Sequence, residues 1–525
     1  MKKYFQAVSL LLFSSFFFLA TYDLPDWFPA DIYLRLDPLL GLNAVLASKE
    51  IIGRVLWSLV LIGATLLIGR FFCAYVCPMG ASIDFLDHLL FSKIRRPVLK
   101  ADSGLRKVKY ILLFIFIATA VAGFSSVYFM DPIALLTRVY TFVIYPIVIT
   151  LINLSLDLLR PLFRGLGWIA LSHLHYPQPV YYMSVITLLI FGGIIALNRL
   201  APRFWCRYLC PLGALLSFIS PLGVFKRRVN QDCNECLICQ KTCPMGAIDK
   251  NPLKTHALEC IQCKNCSRIC PQAAISFPAS RTVAGEYSGI NLSRRGFLYS
   301  LAGGLGLGFL SVQAPYASLQ GKQNLIRPPG ALPESEFLRT CIRCGECMKS
   351  CLTNTLQPCL WESGLEGLWT PKLDLRLAPC EQNCHVCGKV CPTQAIRSLS
   401  LDEKTHAKIG TAVLRKEMAI VFRPVEGFRR PVVVASRCNG CGYCEQRCPV
   451  KGDSAIVVVP DGEIRLRVGS YMKEAEKLQL EFKPDPGDDR YLMEDSGFRV
   501  EERKDGEESI PKEDKPQPKK PKGFL

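Results

Sequence analysis

The residues best equipped for chemistry in this chain are its 25 cysteines. Twenty of them fall into five tight runs. In chain order the first is Cys233, Cys236, Cys239 and Cys243, and the second is Cys260, Cys263, Cys266 and Cys270. The third is Cys341, Cys344, Cys347 and Cys351, and the fifth is Cys438, Cys441, Cys444 and Cys448. All four follow C-x2-C-x2-C-x3-C. The fourth run, Cys380, Cys384, Cys387 and Cys391, is one residue longer. Pro follows the last cysteine in every run but the third, where Leu352 stands. Four thiolates hold one cubane [4Fe–4S] cluster, so the runs predict five clusters and electron transfer. Two intervening residues let a tight loop aim successive sulfurs at one inorganic core, and the cysteine before Pro usually serves a neighbouring cluster. Zinc sites show two separated C-x2-C pairs instead, and C-x2-C-x2-C is too crowded for disulfide geometry.

A second cysteine pattern recurs. Arg70-Phe-Phe-Cys73-Ala-Tyr-Val-Cys77-Pro-Met-Gly-Ala81 returns as Arg203-Phe-Trp-Cys206-Arg-Tyr-Leu-Cys210-Pro-Leu-Gly-Ala214. Two related helical hairpins about a pseudo-two-fold axis are expected. C-x3-C spacing puts both sulfurs on one helical face, and two copies can bring Cys73, Cys77, Cys206 and Cys210 together. A redox thiol site, a sixth cluster, and a structural or quinone-pocket role are all open at this stage. Gly80 and Gly213 read as tight helix-end turns.

These sites must be carried by a chain that is half hydrophobic. Five apolar segments are long enough to span a bilayer, roughly 4–21, 51–72, 109–130, 179–198 and 297–313. Lys93, Arg95, Arg96, Lys100, Arg106, Lys107 and Lys109 follow the second, and Arg199, Arg203, Arg207, Lys226, Arg227 and Arg228 follow the fourth. Basic loops stay cytoplasmic, and the acidic loop with Asp23, Asp26, Asp31 and Asp37 is expected outside. Residues 141–157 are apolar but interrupted by Pro146, and read as a periplasmic or partly inserted helix. The formal net charge of +18 thus reflects membrane orientation; no aromatic–basic pattern supports nucleic-acid binding.

Ser293-Arg294-Arg295-Gly296-Phe297-Leu298, before a Gly-rich apolar stretch, reads as a twin-arginine export signal kept as an anchor. Gly304, Gly306 and Gly308 do not form a nucleotide loop, since no strand precedes them. The resulting fold class is mixed: an α-helical membrane domain plus ferredoxin-like α+β iron–sulfur domains on both sides of the membrane. The expected domains are 1–228 in the membrane and 229–285, a cytoplasmic two-cluster ferredoxin. A signal and anchor at 290–317, a periplasmic domain at 318–495 and a disordered tail at 496–525 follow. Ala455–Val459, a Pro460-Asp461-Gly462 turn and Ile464–Val468 read as a hairpin. Cys359 reads as a buried thiol.

The paired C-x3-C-P motifs and the first two runs make residues 1–290 resemble NapH, a membrane ferredoxin-type protein of periplasmic nitrate reduction. S-R-R-G-F-L, Arg327-Pro-Pro-Gly-Ala-Leu-Pro333 and the later runs make residues 291–470 resemble its exported partner NapG. MauN and MauM of methylamine oxidation, the membrane part of NosR and the CcoG assembly protein are similar. The resemblance implies a NapH–NapG fusion in the bacterial inner membrane. It would link the quinone pool to a periplasmic reductase, cytochrome or metalloenzyme, as an electron-transfer component of a quinol dehydrogenase. The alternative it implies is a reductive assembly factor for a periplasmic metalloenzyme. No C-x-x-C-H haem motif, flavin motif, catalytic acid, base or nucleophile is evident.

Overall fold

The computed structural model describes residues 2–21, 29–92, 94, 96, 102–248, 251–279, 294–313, 325–414, 433–450 and 454–480. Asp23, Asp26, Lys93, Arg95, Lys100 and the tail at 496–525 lie outside them.

The N-terminal half is two copies of one helical unit. The first has α1 (Lys2–Leu19), α2 (Ile32–Arg35), α3 (Pro38–Ser48), α4 (Ser58–Ile68) and α5 (Pro78–Phe91). The second has α6 (Asp102–Val121), α7 (Pro132–Val139), α8 (Tyr145–Gly165), α9 (Ile169–Ser172), α10 (Ser184–Ala196) and α11 (Pro211–Ile219). The repeat reaches further than the cysteine motif, because α3 and α7 both open with Asp-Pro. Asp37 Oδ1 accepts from the amides of Leu39 (2.8 Å) and Leu40 (3.2 Å). Asp131 Oδ1 does the same for Ile133 (2.9 Å) and Ala134 (2.8 Å). An Asp N-cap satisfies otherwise orphaned amides, and Pro at the first helical position lacks the N–H that would need a partner. Asp37, in the acidic stretch, is therefore a buried helix cap.

Three further expectations change. The third apolar segment is helical from Asp102 and ends at Val121, where Gly123 takes a left-handed φ of 91° and the chain turns back into α7. Residues 132–165 form one helical run of 34 residues, the only one among the described residues long and apolar enough to cross a membrane. Pro146 does not break it. A π-helical turn at Tyr140–Ile144 precedes α8, which places Pro146 in the first turn of α8, where a missing N–H is tolerated.

Residues 225–279 form a small domain at one end of the helices. It holds α12 (Ile238–Thr242), α13 (Asn265–Ile269) and the antiparallel pair β1 (Arg228–Val229) and β2 (Ile275–Ser276). Lys109 Nζ meets Glu259 at 2.5 Å, Arg70 donates to Leu258 O at 2.6 Å and Arg106 to Gly246 O at 2.7 Å. The described residues between 325 and 480 dock at the opposite end. Lys349 Nζ donates to Phe17 O (2.5 Å), Arg343 to Ser125 O (2.7 Å) and Arg54 to Cys391 O (2.8 Å).

This second domain carries two antiparallel pairs, β3 (Leu356–Pro358) with β4 (Pro371–Leu373) and β5 (Thr411–Leu414) with β6 (Ile456–Val459). Val457 pairs with Val413 across β5–β6, so the expected hairpin to Ile464–Val468 does not form. Arg465 and Arg467 are drawn away instead, to Glu334 (2.8 Å) and Glu336 (3.4 Å).

α14 (Arg294–Gln313) packs along α6 in the same direction. A Cβ on Gly304 would lie 2.8 Å from Ile115 O and the Ala118 Cβ, and one on Gly308 2.7 Å from the Ala122 Cβ. Gly304 and Gly308, two of the glycines that look like a nucleotide loop, form a small-residue seam of the kind that lets helices approach closely, while Gly306 faces open space.

Candidate iron–sulfur sites

The C-x2-C-x2-C loops share a backbone device that spacing alone does not reveal. The residues flanking the second cysteine are left-handed: Glu235 and Leu237, Gln262 and Lys264, Arg343 and Gly345, Gly440 and Gly442. This curls the chain so that successive sulfurs and amides face inward, the geometry of an anion-binding nest. The stretched fourth run lacks it; His385, after its second cysteine, has φ −132°.

The runs work in pairs. Cys243, the last of the first run, lines one cavity with Cys260, Cys263 and Cys266 of the second. Cys351 likewise lines a cavity with Cys380, Cys384 and Cys387. In return Cys391 faces Cys341, Cys344 and Cys347. Cys270 of the second run packs against the apolar cluster that holds Cys239 of the first. Burial pushes the thiols up, Cys260 and Cys380 to about 12 and Cys341 to about 11. Such thiols ionise when a metal supplies the compensating charge. The donor sets therefore fit iron–sulfur clusters.

In the fifth run Cys438, Cys441 and Cys444 are mutual neighbours. The amide of Cys380 donates to Cys441 O at 2.9 Å, which joins this run to the fourth. Cys359 is fully buried, with Arg327 Nη1 3.5 Å from its sulfur.

The four cysteines of the helical repeat do come together. Cys73, Cys77, Cys206 and Cys210 line one cavity with Arg70, Arg203, Pro132, Met245 and Ile261. They do not sit in pairs on one helical face. A π-turn spans Phe72–Val76 and another Trp205–Leu209, closed by Cys77 N to Phe72 O (2.8 Å) and Cys210 N to Trp205 O (2.9 Å). Cys77 and Cys210 leave the helix in extended conformation and cap the next one, their sulfurs accepting from Gly80 (3.5 Å) and Gly213 (3.2 Å). The glycines thus sit at the N-terminal ends of α5 and α11, in their first turns. Each receives the other repeat's arginine: Arg203 lies against Gly80 and Arg70 against Gly213. Sequence reasoning counted Arg203 among the basic residues of a cytoplasmic stretch. It is buried, paired with Asp84 at 2.7 Å, and donates to Cys73 O at 2.9 Å. Two buried guanidinium groups beside four sulfurs supply the positive charge an anionic cluster needs. Among the described residues no three His, Cys, Asp or Glu close on a single metal ion; the cysteines surround cavities.

The 4Fe–4S binding domain family matches residues 51–97 and 183–230, one match over each C-x3-C-P motif. The 4Fe–4S dicluster domain family matches residues 225–286. The methylamine utilization ferredoxin-type protein MauM of Methylorubrum extorquens is 36% identical over 163 residues, 26% of this chain and 72% of that protein. The ferredoxin-type protein NapG of Escherichia coli K12 is 30% identical over 200 residues, 32% of this chain and 85% of that protein. The ferredoxin-type protein NapF of the same organism is 34% identical over 151 residues, 25% of this chain and 85% of that protein. No solved structure matches. With its paired cysteine runs and these likenesses, the chain belongs to the 4Fe–4S ferredoxin-type family of MauM, NapG and NapF, proteins of iron–sulfur electron transfer.

Proposed function

We propose that the chain is a membrane-bound relay of five or six [4Fe–4S] clusters, a NapH–NapG-like fusion that links the quinone pool to a periplasmic redox partner. The twenty run cysteines hold five clusters, and Cys73, Cys77, Cys206 and Cys210 hold the sixth. One observation carries this reading: the cysteine sets form an uninterrupted series along the molecule. Met245 and Ile261 of the first ferredoxin domain line the four-cysteine cavity and pack beside Cys263. Cys77 and Cys210 share one apolar core with Ile342 and Cys344 of the other domain. α7 starts at that cavity with Pro132, and Thr141 just beyond it touches Gly345. At 1.5 Å per residue that separation is about 14 Å, half of a bilayer's roughly 30 Å apolar layer. The four cysteines can thus bridge the two ferredoxin domains without a mobile carrier between them, leaving quinone the role of donor or acceptor.

Membrane placement is supported by the 34-residue apolar helix. Large apolar side chains also face outward, including Leu67, Leu158 and Val185, 61%, 81% and 69% exposed. The domain with the first two runs would be cytoplasmic and the domain at 325–480 periplasmic, exported through the Arg294-Arg295 signal. The second reading, reductive assembly of a periplasmic metalloenzyme, is favoured by the likeness to MauM. Menaquinol added to anaerobic membranes, with clusters followed by EPR, separates the two. Cluster reduction by quinol supports the relay; clusters that respond only to dithionite sink quinol-fed transfer.

A further inference from the structure

The duplicated Asp-Pro caps bring two acids face to face. Asp37 and Asp131 are both fully buried. In each, Oδ1 takes two amides of the helix it caps, those of Leu39 and Leu40 for Asp37 and those of Ile133 and Ala134 for Asp131. These four residues share one apolar core. The caps meet inside it, with the two carboxyl groups within hydrogen-bonding reach of each other. Each Oδ2 is shielded from solvent and has no donor among the described residues. A buried acceptor without a partner is destabilising, more so when charged, and two carboxylates side by side out of water cannot both be ionised. One proton held between the two Oδ2 atoms removes both penalties.

No neighbouring charge takes that proton's place. Arg138 of α7 is beside Asp131, but its guanidinium is engaged by carbonyls. Nη2 donates to Tyr128 O (2.7 Å) and Phe129 O (3.4 Å), and Nε to Ala134 O (3.4 Å). One cation balances a pair that keeps one proton, not two bare carboxylates. Tyr128 also neighbours Asp131 and lies under Arg343 of the third run, which donates to Ser125 O and Glu366 O at 2.7 Å. Charged groups on the helices packed around α3 and α7 have partners of their own: Arg35 with Asp31 (2.6 Å), Asp84 with Arg203 (2.7 Å), Lys109 with Glu259 (2.5 Å) and Glu334 with Arg327 (2.6 Å). The pair also stands between two cysteine sets. Pro132, next to Asp131, lines the four-cysteine cavity, and Tyr128 and Arg343 lead to the third run.

We propose that Asp37 and Asp131 form a shared-proton site between the central cluster and the cluster of the third run, and that this site takes up a further proton when the central cluster is reduced. The redox link rests on the cluster reading above; the shared proton does not. An electron from the first ferredoxin domain adds one negative charge to the central cluster, and a proton from water binds the remaining carboxylate and offsets it. When the electron passes to the next cluster, that proton returns to water.

Infrared spectra and EPR-monitored redox titrations of the full chain test the two parts. Expected near neutral pH is a protonated-carboxyl band that shifts in heavy water and is lost in both Asp37→Asn and Asp131→Asn, where the amide keeps the cap and donates to the remaining carboxylate. Unchanged iron in the paired runs shows that both variants fold. The EPR signal that Cys73→Ser/Cys206→Ser removes should have a midpoint that falls as pH rises, and either Asn variant should lose that slope. A carboxyl band that is absent, or that survives in both variants, would overturn the shared proton. A midpoint independent of pH in the unaltered chain, a reading that needs no variant, would overturn the redox link. If no EPR signal depends on Cys73 and Cys206, the sixth-cluster reading fails and takes the redox link with it, while the band still decides the shared proton.

Discussion

Glu259 is the hinge of the contact between the first ferredoxin domain and the helices. Its carboxylate meets Lys109 Nζ at 2.5 Å and accepts from Tyr110 Oη at 3.1 Å, with the two charged side chains 3% and 0% exposed. Arg70 is a further cation beside it. Glu259→Gln keeps the shape but removes the charge that balances both. Breaking a buried pair by removing one partner costs about 3–5 kcal/mol. At about 1.4 kcal/mol per tenfold, docking weakens on the order of a hundred- to several-thousandfold. Hydrogen exchange at residues 254–264 reads this directly, because those amides become accessible when the domain lifts off. Replacing both partners by apolar residues of similar size removes the Lys109 charge as well and leaves only Arg70 without its counter-charge, so Lys109→Met/Glu259→Leu recovers part of the protection. Equal protection in Glu259→Gln and the unaltered chain would refute the reasoning. So would a double variant as weak as the single one.

Three further outcomes follow from the same geometry. Gly304→Leu forces a side chain into the 2.8 Å gap at Ala118 and Ile115 O; overpacking costs about 1–3 kcal/mol, read as a lower unfolding temperature in detergent, whereas Gly306→Leu, with open space around it, changes little. Arg203→Met leaves Asp84 with Lys2 and Gln6 alone and strips a donor from Cys73 O; iron analysis should show about one cluster lost per chain, with the signals of the domain at 325–480 unchanged. Burial would raise the Glu334 carboxyl, but Arg327 and Arg465 outweigh it and hold it at about 2 against an ordinary 4.5. That stabilisation is fully present above pH 4.5 and is lost as pH falls toward 2. Unfolding followed by tryptophan fluorescence should steepen over that window in the unaltered chain and flatten in Glu334→Gln.

The chemistry was far more legible in the sequence than the scaffold. Cysteine spacing gave the runs, and the rule that the cysteine before Pro serves a neighbour correctly anticipated the exchange of Cys243. The repeat was visible at Cys73 and Cys206, but its second half, Asp37-Pro38 against Asp131-Pro132, is a capping signal that was there to be read and was taken for loop acidity. Pro146 was weighed as a helix breaker, because nothing in the sequence shows that a π-turn at Tyr140–Ile144 shifts it into a first turn. β6 finds β5 rather than the next segment, since strand partnership is decided by what the fold brings near Val457, not by the closest turn signal. The roles of Arg70 and Arg203 stayed hidden for a related reason: their motif position was plain, but only the packing of one repeat on the other shows that each serves its opposite.

The central claim is that electrons cross from one ferredoxin domain to the other through the four cysteines of the helical repeat. Sealed vesicles carrying the chain in one orientation, exposed to dithionite only on the side of the first two runs, test it most directly. Freeze-quenched EPR then follows the clusters of the domain at 325–480. The account predicts that these clusters are reduced in the unaltered chain. In Cys73→Ser/Cys206→Ser they stay oxidised while those of the first domain are still reduced. Equally fast reduction of the far clusters in both, or none in the unaltered chain, would contradict it.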